Sequence, residues 1–345
     1  MSAARAALLR APTTLRSGRG GTALPRTAPP PTPQLVLYEY EASPWCRRVR
    51  EFLCALDLKH EVRPCPREAL LRHIGPPLQA EGFMGALSRF RPEVRARGAP
   101  LVFPFLLDRT AGAAVSDSGR IVRHLWKHYA SSVRSDVPRP GASVAWPLAP
   151  GRRVEGATLP RCARGPERWC APTALDSWID VPLLVAASAC RPLAGHGLMA
   201  APSRSPPARR RDGRPAIVLC ANEAHAPARA VREALSTLQL PYEMAPNAEG
   251  GVIANEAALR GAGATFARSL AFEDDASSYA TTDADAAVEY LHERYGRGPP
   301  LSIFSSAGPG DGAESGAAHW TERYRRRPQH ERGEPVAVCR SRSAP

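Results

Sequence analysis

Two segments of this 345-residue chain align with each other without a gap, and this internal repeat limits what the chain can fold into. Residues 35–65 align with 217–247, and further along, in the same order, 115–130 align with 281–296. Two ordered blocks of similarity predict two copies of one structural unit. The first copy is the longer one, and its extra residues are expected in the Gly- and Pro-punctuated stretch 75–100.

The residues that recur are both charged and apolar. In the first block they are Leu37, Glu41, Ala42, Arg47, Val49, Arg50, Glu51, Leu53, Leu56, Leu58, Glu61 and Pro64, which recur as Leu219, Glu223, Ala224, Arg229, Val231, Arg232, Glu233, Leu235, Leu238, Leu240, Glu243 and Pro246. In the second block Asp117, Val122, Leu125 and Tyr129 recur as Asp283, Val288, Leu291 and Tyr295. Chance does not explain two such blocks in one order.

Hydrophobic periodicity predicts the elements of the first copy. A buried-type strand is followed by a helix in which Ser43 is a favoured N-cap and Pro44 loses no hydrogen bond. Apolar residues between Val49 and Leu56 then recur at the spacing of one helical face. The predicted elements in order are a strand at 35–38, a helix from 43–44, a strand at 60–63, a helix at 67–74, strands at 101–107 and 113–115, and a helix from about 117. This order, βαβαββα, predicts an α/β fold with helices on both faces of a small sheet.

Composition separates folded units from spacers. The chain has 43% hydrophobic residues, enough for two cores, but also 36 prolines and 27 glycines. The predicted organisation is a leader at 1–33, a first α/β domain at 34–130, a Pro- and Arg-rich linker with one or two helices at 131–214, a second domain at 215–296 and a basic disordered tail at 297–345. The net charge of +13 is spread over leader, linker, tail and first domain, while residues 215–296 are acidic. Specific nucleic-acid binding, which needs a basic face on a folded unit, is therefore not expected.

The leader has the composition of an organellar transit peptide. It contains five arginines and many small residues, with no acidic residue before Glu39. We expect it to be disordered and to direct the protein to an organelle. No apolar stretch approaches the length of a membrane-spanning helix, so no membrane span is expected. Cys162 and Cys170 lack a second ligand pair at zinc spacing, so no metal site is expected.

The candidate chemistry lies at Ser43-Pro44-Trp45-Cys46, where a strand passes into a helix. Unpaired N–H groups and the helix dipole at this end favour an anion, such as a thiolate. Three interpretations are open. The hydroxyl of Ser43 could hydrogen-bond a thiolate brought by a ligand, Cys46 could itself be the reactive sulfur, or Ser43 could be a plain N-cap beside a buried Cys46.

The run from Tyr38 to Glu51, with Val102-Phe103-Pro104-Phe105-Leu106 and Ser116-Asp117-Ser118, resembles the thioredoxin-fold N-terminal domain of glutathione S-transferases and glutaredoxins. The tandem glutathione S-transferase N-terminal-like proteins of plant and algal plastids are the nearest resemblance. It implies two tandem thioredoxin-like domains and a soluble protein of the plastid, with the mitochondrion as the alternative.

The same resemblance implies glutathione as co-substrate or ligand. It makes Pro104 a cis-proline, pairs the backbone of Phe103 with the cysteinyl part of glutathione, and assigns its γ-glutamyl end to Asp117 and Ser118. Ser43 stands where glutaredoxins have their first cysteine, so dithiol exchange within this motif is impossible and the site resembles that of serine-type transferases.

The second copy departs from the pattern. His225-Ala226-Pro227-Ala228 replaces the motif, Leu270 falls opposite Pro104, and Ala284 falls opposite Ser118. We interpret this copy as degenerate, a structural or docking module. The sequence hypothesis is a glutathione-binding protein with glutathione transferase or thiol-redox activity, its electrophile, disulfide or protein partner unidentified. The alternative is a non-catalytic plastid scaffold that docks partners.

Overall fold

A computed structural model describes residues 3–16, 18–66, 89–135, 180–189, 203, 208–252 and 270–296. The first half contains helix α1 (Ala3–Leu15), strand β1 (Leu35–Glu39), α2 (Pro44–Ala55), β2 (His60–Pro64), α3 (Arg91–Ala96), β3 (Phe105–Asp108), β4 (Ala113–Ser116) and α4 (Ser118–Tyr129). The rest contains α5 (Asp180–Ala189), β5 (Ile217–Ala221), α6 (Ala226–Leu238), β6 (Tyr242–Pro246), β7 (Ala271–Asp274), β8 (Tyr279–Thr281) and α7 (Ala284–Tyr295). The predicted α/β class is confirmed.

The strands of each half pair in the same pattern. β1 is parallel to β2 and antiparallel to β3, which continues antiparallel into β4. β5 is likewise parallel to β6 and antiparallel to β7, which continues into β8. The helices that follow β1 and β5 bury their apolar faces against the closing helices α4 and α7, in two separate cores.

The two halves share one continuous sheet, in the order β4-β3-β1-β2-β6-β5-β7-β8. β2 and β6 join them as an antiparallel pair in which Glu61 faces Glu243. These two glutamates occupy equivalent places in the aligned segments, so the pair marks a local twofold axis between the halves. The sequence prediction of two domains joined through a linker did not anticipate this shared sheet.

Most predicted elements of the first half are present, with two differences. The third strand begins at Phe105 instead of residue 101, because Pro104 has no N–H to donate to a ladder. A short helix, α3, lies in the stretch 75–100, where extra residues were expected. The predicted helix at 67–74, most of the linker and the tail at 297–345 lie outside the described residues.

A network of buried ion pairs fills the junction between the halves. Its members, here called the seam network, are Arg16, Arg47, Arg50, Arg229, Arg232, Glu39, Glu41, Glu51, Glu223 and Glu233, each at most 2% exposed. Nε of Arg50 lies 3.0 Å from Oε2 of Glu223, and Nε of Arg232 lies 3.0 Å from Oε2 of Glu41. These two contacts cross the junction and are related by the local twofold.

Each of these arginines also pairs within its own half. Nη2 of Arg50 lies 3.1 Å from Glu41, and Nη2 of Arg232 lies 3.3 Å from Glu223. Arg50 donates a further hydrogen bond to Glu39. Removing such charges from water costs several kcal/mol per ion unless partners surround them. The two halves therefore supply each other's compensating charges.

The segment before β1 is folded, which differs from the sequence prediction of a disordered leader at 1–33. Arg16 is buried on Glu51, with Nη2 2.7 Å from Oε2. Leu24 is 2% exposed and belongs to the core of the first half. The composition that resembles a transit peptide did not reveal that this arginine has a buried carboxylate to bind. Whether the segment directs import is a separate question, and that role stays a prediction.

Glu223→Gln should reduce both the stability of the protein and its sensitivity to acid. Burial alone would raise the pKa of Glu223, but Arg232 and Arg50 outweigh it and lower the pKa from 4.5 to about 2. The stabilisation from a lowered pKa is complete above the ordinary value and is lost as the pH falls toward 2. We expect the variant to lose about 3–5 kcal/mol at neutral pH, because it leaves buried arginines undercompensated.

Urea unfolding at several pH values between neutral and acidic measures both effects. Glu249→Gln is the control, because Glu249 is exposed and its side chain is outside the seam network. An unchanged pH slope in Glu223→Gln would show that the seam network does not carry the acid sensitivity.

Candidate functional site

Ser43 lies at the N-cap of α2, as its place in the sequence predicts. Its backbone is extended, and its hydroxyl oxygen accepts a hydrogen bond from the backbone N–H of Cys46 at 3.3 Å. Pro44 follows in the first turn, where its missing N–H costs nothing. The residue is 2% exposed. The oxygen that caps the helix is thus held at the positive end of its dipole, where a sulfur anion would also be stabilised.

Cys46 is buried, and its environment disfavours the thiolate. Burial raises the pKa of its thiol to about 12, and the neighbouring Glu39 carboxylate adds to this. The hydrogen bond with Ser43 acts in the opposite direction but is outweighed. Burial raises the pKa of Cys65, in the same apolar cluster, well above its ordinary value. Of the interpretations left open by the sequence, these surroundings favour Cys46 as a packing residue over Cys46 as a nucleophile.

Phe103 and Pro104 lie directly before β3. The peptide bond between them is cis, which confirms the geometry that the resemblance implies. The ladder between β1 and β3 ends at the pair Tyr38 and Phe105, so the backbone of Phe103 lies beyond it. The Phe103 side chain packs in the same apolar cluster as Cys46, which brings this segment against the start of α2.

Asp117 and Ser118 lie at the start of α4. Asp117 is the N-cap, with φ of +79°, and its Oδ1 accepts a hydrogen bond from the N–H of Arg120 at 3.0 Å. Asp117 is exposed, whereas Ser118, the first helical residue, is 4% exposed. A positive φ at a residue other than glycine is uncommon and is often found at binding sites.

Two arginines lie close to the start of α4, and the sequence did not single them out. A Cβ placed on Gly119 would lie 3.7 Å from an Nη1 of Arg123 and 3.9 Å from Nη1 of Arg48, a residue of α2. The start of α4 therefore combines the Asp117 carboxylate with two guanidinium groups and the helix dipole. Such a set can receive a zwitterion, with the ammonium on the carboxylate and the ligand's carboxylate toward the cationic side.

Exposed apolar side chains lie at the start of α2 and just before Phe103, the two chain segments that meet at the candidate site. Trp45, in the first turn of α2, is 37% exposed, and Val102, just before Phe103, is 58% exposed. Large apolar side chains at the surface are common singly, so these two alone assign nothing. They do mark both segments as reaching the surface.

The second half retains one of the site's features. His225 is the N-cap of α6 but makes no side-chain cap hydrogen bond. Leu270 and Ala284 are buried apolar residues at the positions opposite Pro104 and Ser118. Asp283 still caps α7, accepting from the N–H groups of Asp285 at 2.8 Å and Ala286 at 3.4 Å. The second half thus keeps the capping carboxylate and lacks the hydroxyls and the proline.

A buried aspartate that sequence reasoning missed anchors the closing helix in both halves. Asp108, at the end of β3, accepts a hydrogen bond from the hydroxyl of Tyr129 at 2.5 Å. Asp274, at the end of β7, accepts one from Tyr295 at 2.6 Å. Tyr129 and Tyr295 were aligned in the sequence, and the same offset links the two aspartates, so extending the alignment would have found the pair.

Comparison with known proteins finds a family to which part of the chain is similar. The family model described as glutathione S-transferase, N-terminal domain matches residues 37–133. This part of the chain is therefore similar to the thioredoxin-like N-terminal domain of those enzymes. The match spans a little over a quarter of the chain. No curated protein and no solved structure matches.

No helix in the part of the chain that the structure describes is long and apolar enough to cross a bilayer. No cluster of His, Cys, Asp or Glu side chains suited to a metal ion occurs among those same residues. Cys162 and Cys170 lie outside them.

Cys46 should resist alkylation in the folded protein. A thiol with a pKa of about 12 is almost entirely protonated near neutral pH, and only the thiolate reacts with iodoacetamide. We expect peptide mapping by mass spectrometry to show Cys46 unmodified in native protein and modified after unfolding in urea. Cys54 is the internal control, because burial raises its pKa to about 12 as well. Rapid native labelling of Cys46 alone would revive its role as the reactive sulfur.

Proposed function

We propose that the first half of this protein binds glutathione at the junction of α2, β3 and α4. The Ser43 hydroxyl hydrogen-bonds the glutathione sulfur, the backbone of Phe103 before Pro104 pairs with the cysteinyl part, and Asp117 with Ser118 holds the γ-glutamyl end. The observation that carries this proposal is the Asp117 cap beside two arginines, within a region that matches a glutathione S-transferase N-terminal domain.

The charges of the site suit the γ-glutamyl end of glutathione, which carries one ammonium and one carboxylate. Asp117 is exposed, so its free oxygen can receive the ammonium while Oδ1 keeps its hydrogen bond to the backbone. The N–H groups at the start of α4, with Arg48 and Arg123 nearby, suit the carboxylate. This arrangement distinguishes glutathione from a simple thiol, which lacks both groups.

The activity we propose is of the serine type. Glutathione supplies the thiol, and the residues at the start of α2 lower its pKa by stabilising the sulfur anion. Ser43 then acts on the ligand's sulfur, while Cys46 packs beneath it. A glutathione transferase that uses an electrophile of unidentified structure fits this arrangement better than a thiol oxidoreductase, because the buried Cys46 thiol is held protonated.

The second half has a structural role in this proposal. We infer that it is a degenerate copy of the same thioredoxin-like unit, since strand pairing, the buried aspartate and the seam arginines recur in it. It completes the sheet and supplies the charges that Arg50 and Glu41 require. The plastid is the location we propose, on the resemblance of the sequence to tandem plastid proteins.

A non-catalytic scaffold is the second candidate. The observation that favours it is the burial of Ser43, which is 2% exposed and leaves its hydroxyl little room to meet the glutathione sulfur. This candidate accepts glutathione binding at Asp117 without turnover. Conjugation assays with a panel of electrophiles, run beside glutathione titration, distinguish the two, since only the enzyme consumes the thiol.

Asp117→Ala should abolish most of the glutathione affinity. A lost hydrogen bond to a charged group costs about 1.5–3 kcal/mol, so we expect roughly a tenfold or greater weakening in titration calorimetry. The substitution also removes a helix cap, which costs about 1 kcal/mol of stability. Asp283→Ala is the matched control, because it removes the equivalent cap of α7 and leaves the first half unchanged.

The titration uses the full chain, because the first half shares its sheet and its buried charges with the second. Equal affinity in Asp117→Ala and Asp283→Ala would refute the proposed site. Absence of any heat at millimolar glutathione in the unaltered protein would refute glutathione binding itself.

Ser43→Ala should raise the pKa of the bound glutathione thiol while leaving the γ-glutamyl contacts in place. We expect the ultraviolet absorbance of the thiolate in the complex to appear at higher pH, with a smaller loss of affinity than in Asp117→Ala. Ser43→Thr keeps a hydroxyl at the N-cap and serves as the control. A titration curve of the bound thiol that is the same in Ser43→Ala and Ser43→Thr would contradict the role of the hydroxyl.

A further inference from the structure

The segment from Thr13 to Arg26, which the structure describes except at residue 17, crosses both halves of the protein and is here called the strap. On the second half, the Thr13 hydroxyl donates to the carbonyl of Ala224 at 2.7 Å. The N–H of Glu249 donates to the carbonyl of Gly21 at 2.8 Å, and the N–H of Ala23 donates back to Glu249 at 2.8 Å. The last two are backbone hydrogen bonds of the kind that pair two strands.

The same segment is bound to the first half over its later residues. The N–H of Leu24 donates to the carbonyl of Ala55 at the end of α2, at 2.7 Å. The Arg26 guanidinium donates to the carbonyl of Leu56 at 2.7 Å and to the hydroxyl of Ser132 at 2.6 Å. The strap therefore donates hydrogen bonds to carbonyls where α2 ends, and it holds the segment that follows α4.

Two glycines allow the strap to come this close. A Cβ on Gly20 would lie 2.7 Å from Cβ of Glu223 and 3.2 Å from Cα of Glu51, one residue from each half. Gly20 also has a φ of +76°, which other residues rarely adopt. A Cβ on Gly21 would lie 2.9 Å from Cβ of Ala224. The strap is thus fitted into the junction at backbone distance.

Arg16 connects the strap to the seam network. Its Nε lies 2.9 Å from Oε1 of Glu51 and its Nη2 2.7 Å from Oε2, a bidentate pair. Arg47 shares the same carboxylate, with Nε 3.0 Å from Oε1. Both Arg16 and Glu51 are at most 2% exposed, so water and salt weaken the attraction between them very little.

The formal charges of the seam network balance only when Arg16 is counted. The network as defined above holds five arginines and five glutamates. Eight of them are related to one another in twos by the local twofold, each residue having a counterpart of the same type in the other half. The two members without such a counterpart are Arg16 and Glu39, which carry opposite formal charges. Removing the strap would leave the buried Glu51 carboxylate with Arg47 and without Arg16, and a buried charge that loses a partner is costly.

We propose that the junction between the two halves is a binding site for an arginine-bearing segment, and that its occupant is residues 13–26 of this same chain. The strap belongs to the mature folded protein and fastens the halves together. It follows that any presequence removed during import ends before Thr13. This inference does not depend on the proposed binding of glutathione.

Cleavage behind the strap tests the proposal in the otherwise complete protein. The connection at residues 27–32 is largely exposed, so a site-specific protease sequence can be inserted there. After cleavage, we expect the N-terminal fragment to co-elute with the rest of the protein in size-exclusion chromatography. Arg16→Met should release it. Arg10→Met is the matched control, because Arg10 is an exposed arginine of α1 and its loss should leave the fragment bound.

Two further measurements on the uncut chain test the proposal even if the Arg16→Met variant does not stay folded after cleavage. In the uncut chain, Arg16→Met should speed hydrogen exchange at the amides of Ala23, Leu24 and Glu249 and lower the melting temperature by several degrees more than Arg10→Met. Release of the fragment from the unaltered protein would overturn the proposal, as would equal behaviour of the two variants. A mature protein from its source organism that begins after Thr13 would overturn it as well.

Discussion

The buried pairing of arginines from α2 and α6 with glutamates of both halves is the interaction on which the rest of this structure depends. Arg50 and Arg232 each contact glutamates from both halves, at 3.0 to 3.3 Å. A buried ion pair adds little net stability compared with apolar packing, yet losing one partner is expensive. Its contribution is therefore to fix which surfaces meet and in what orientation. The antiparallel pairing of β2 with β6 follows the same twofold relation.

The helix that carries the candidate site also carries the seam. Ser43 and Cys46 lie at the start of α2, and Arg47, Arg50 and Glu51 follow within two turns of them. Burial raises the pKa of the Glu39 carboxyl to about 7, although its bond to Arg50 opposes this, and Glu39 in turn raises the pKa of Cys46. The electrostatics of the first turn are thus set partly by the junction. A change at the second half's Glu223 would reach the site through Arg50.

The sequence predicted the parts of this fold that depend on local pattern. The N-cap at Ser43, the strand before it and the closing helix after Asp117 each follow from capping chemistry and apolar spacing, and each is present. The cis bond before Pro104 came from family resemblance instead. The candidate site residues were found in this way, but not the arginines beside Gly119, because their approach depends on how α2 packs against α4.

What the sequence could not predict was the pairing of the halves. Arg47, Arg50 and Glu51 recur in the second copy, and this recurrence predicts two copies of one structural unit. The alignment carries no information on whether recurring charges face water or each other. Arg16 shows the same limit, since an arginine in a basic, acid-poor segment resembles a targeting residue until its buried carboxylate is known. Long-range charge compensation is a tertiary property.

The joining of the two sheets also determines which strands lie at the edges, with backbone groups left unpaired. Had each half stood alone, β2 and β6 would be five-residue edge strands with unpaired backbone groups. Among the strands that the structure describes, their union leaves β4 and β8 outermost, with four and three residues. Short edges offer few hydrogen bonds to a foreign strand, so they are poor templates for intermolecular sheet growth. The arrangement thereby protects the protein against aggregation through strand addition.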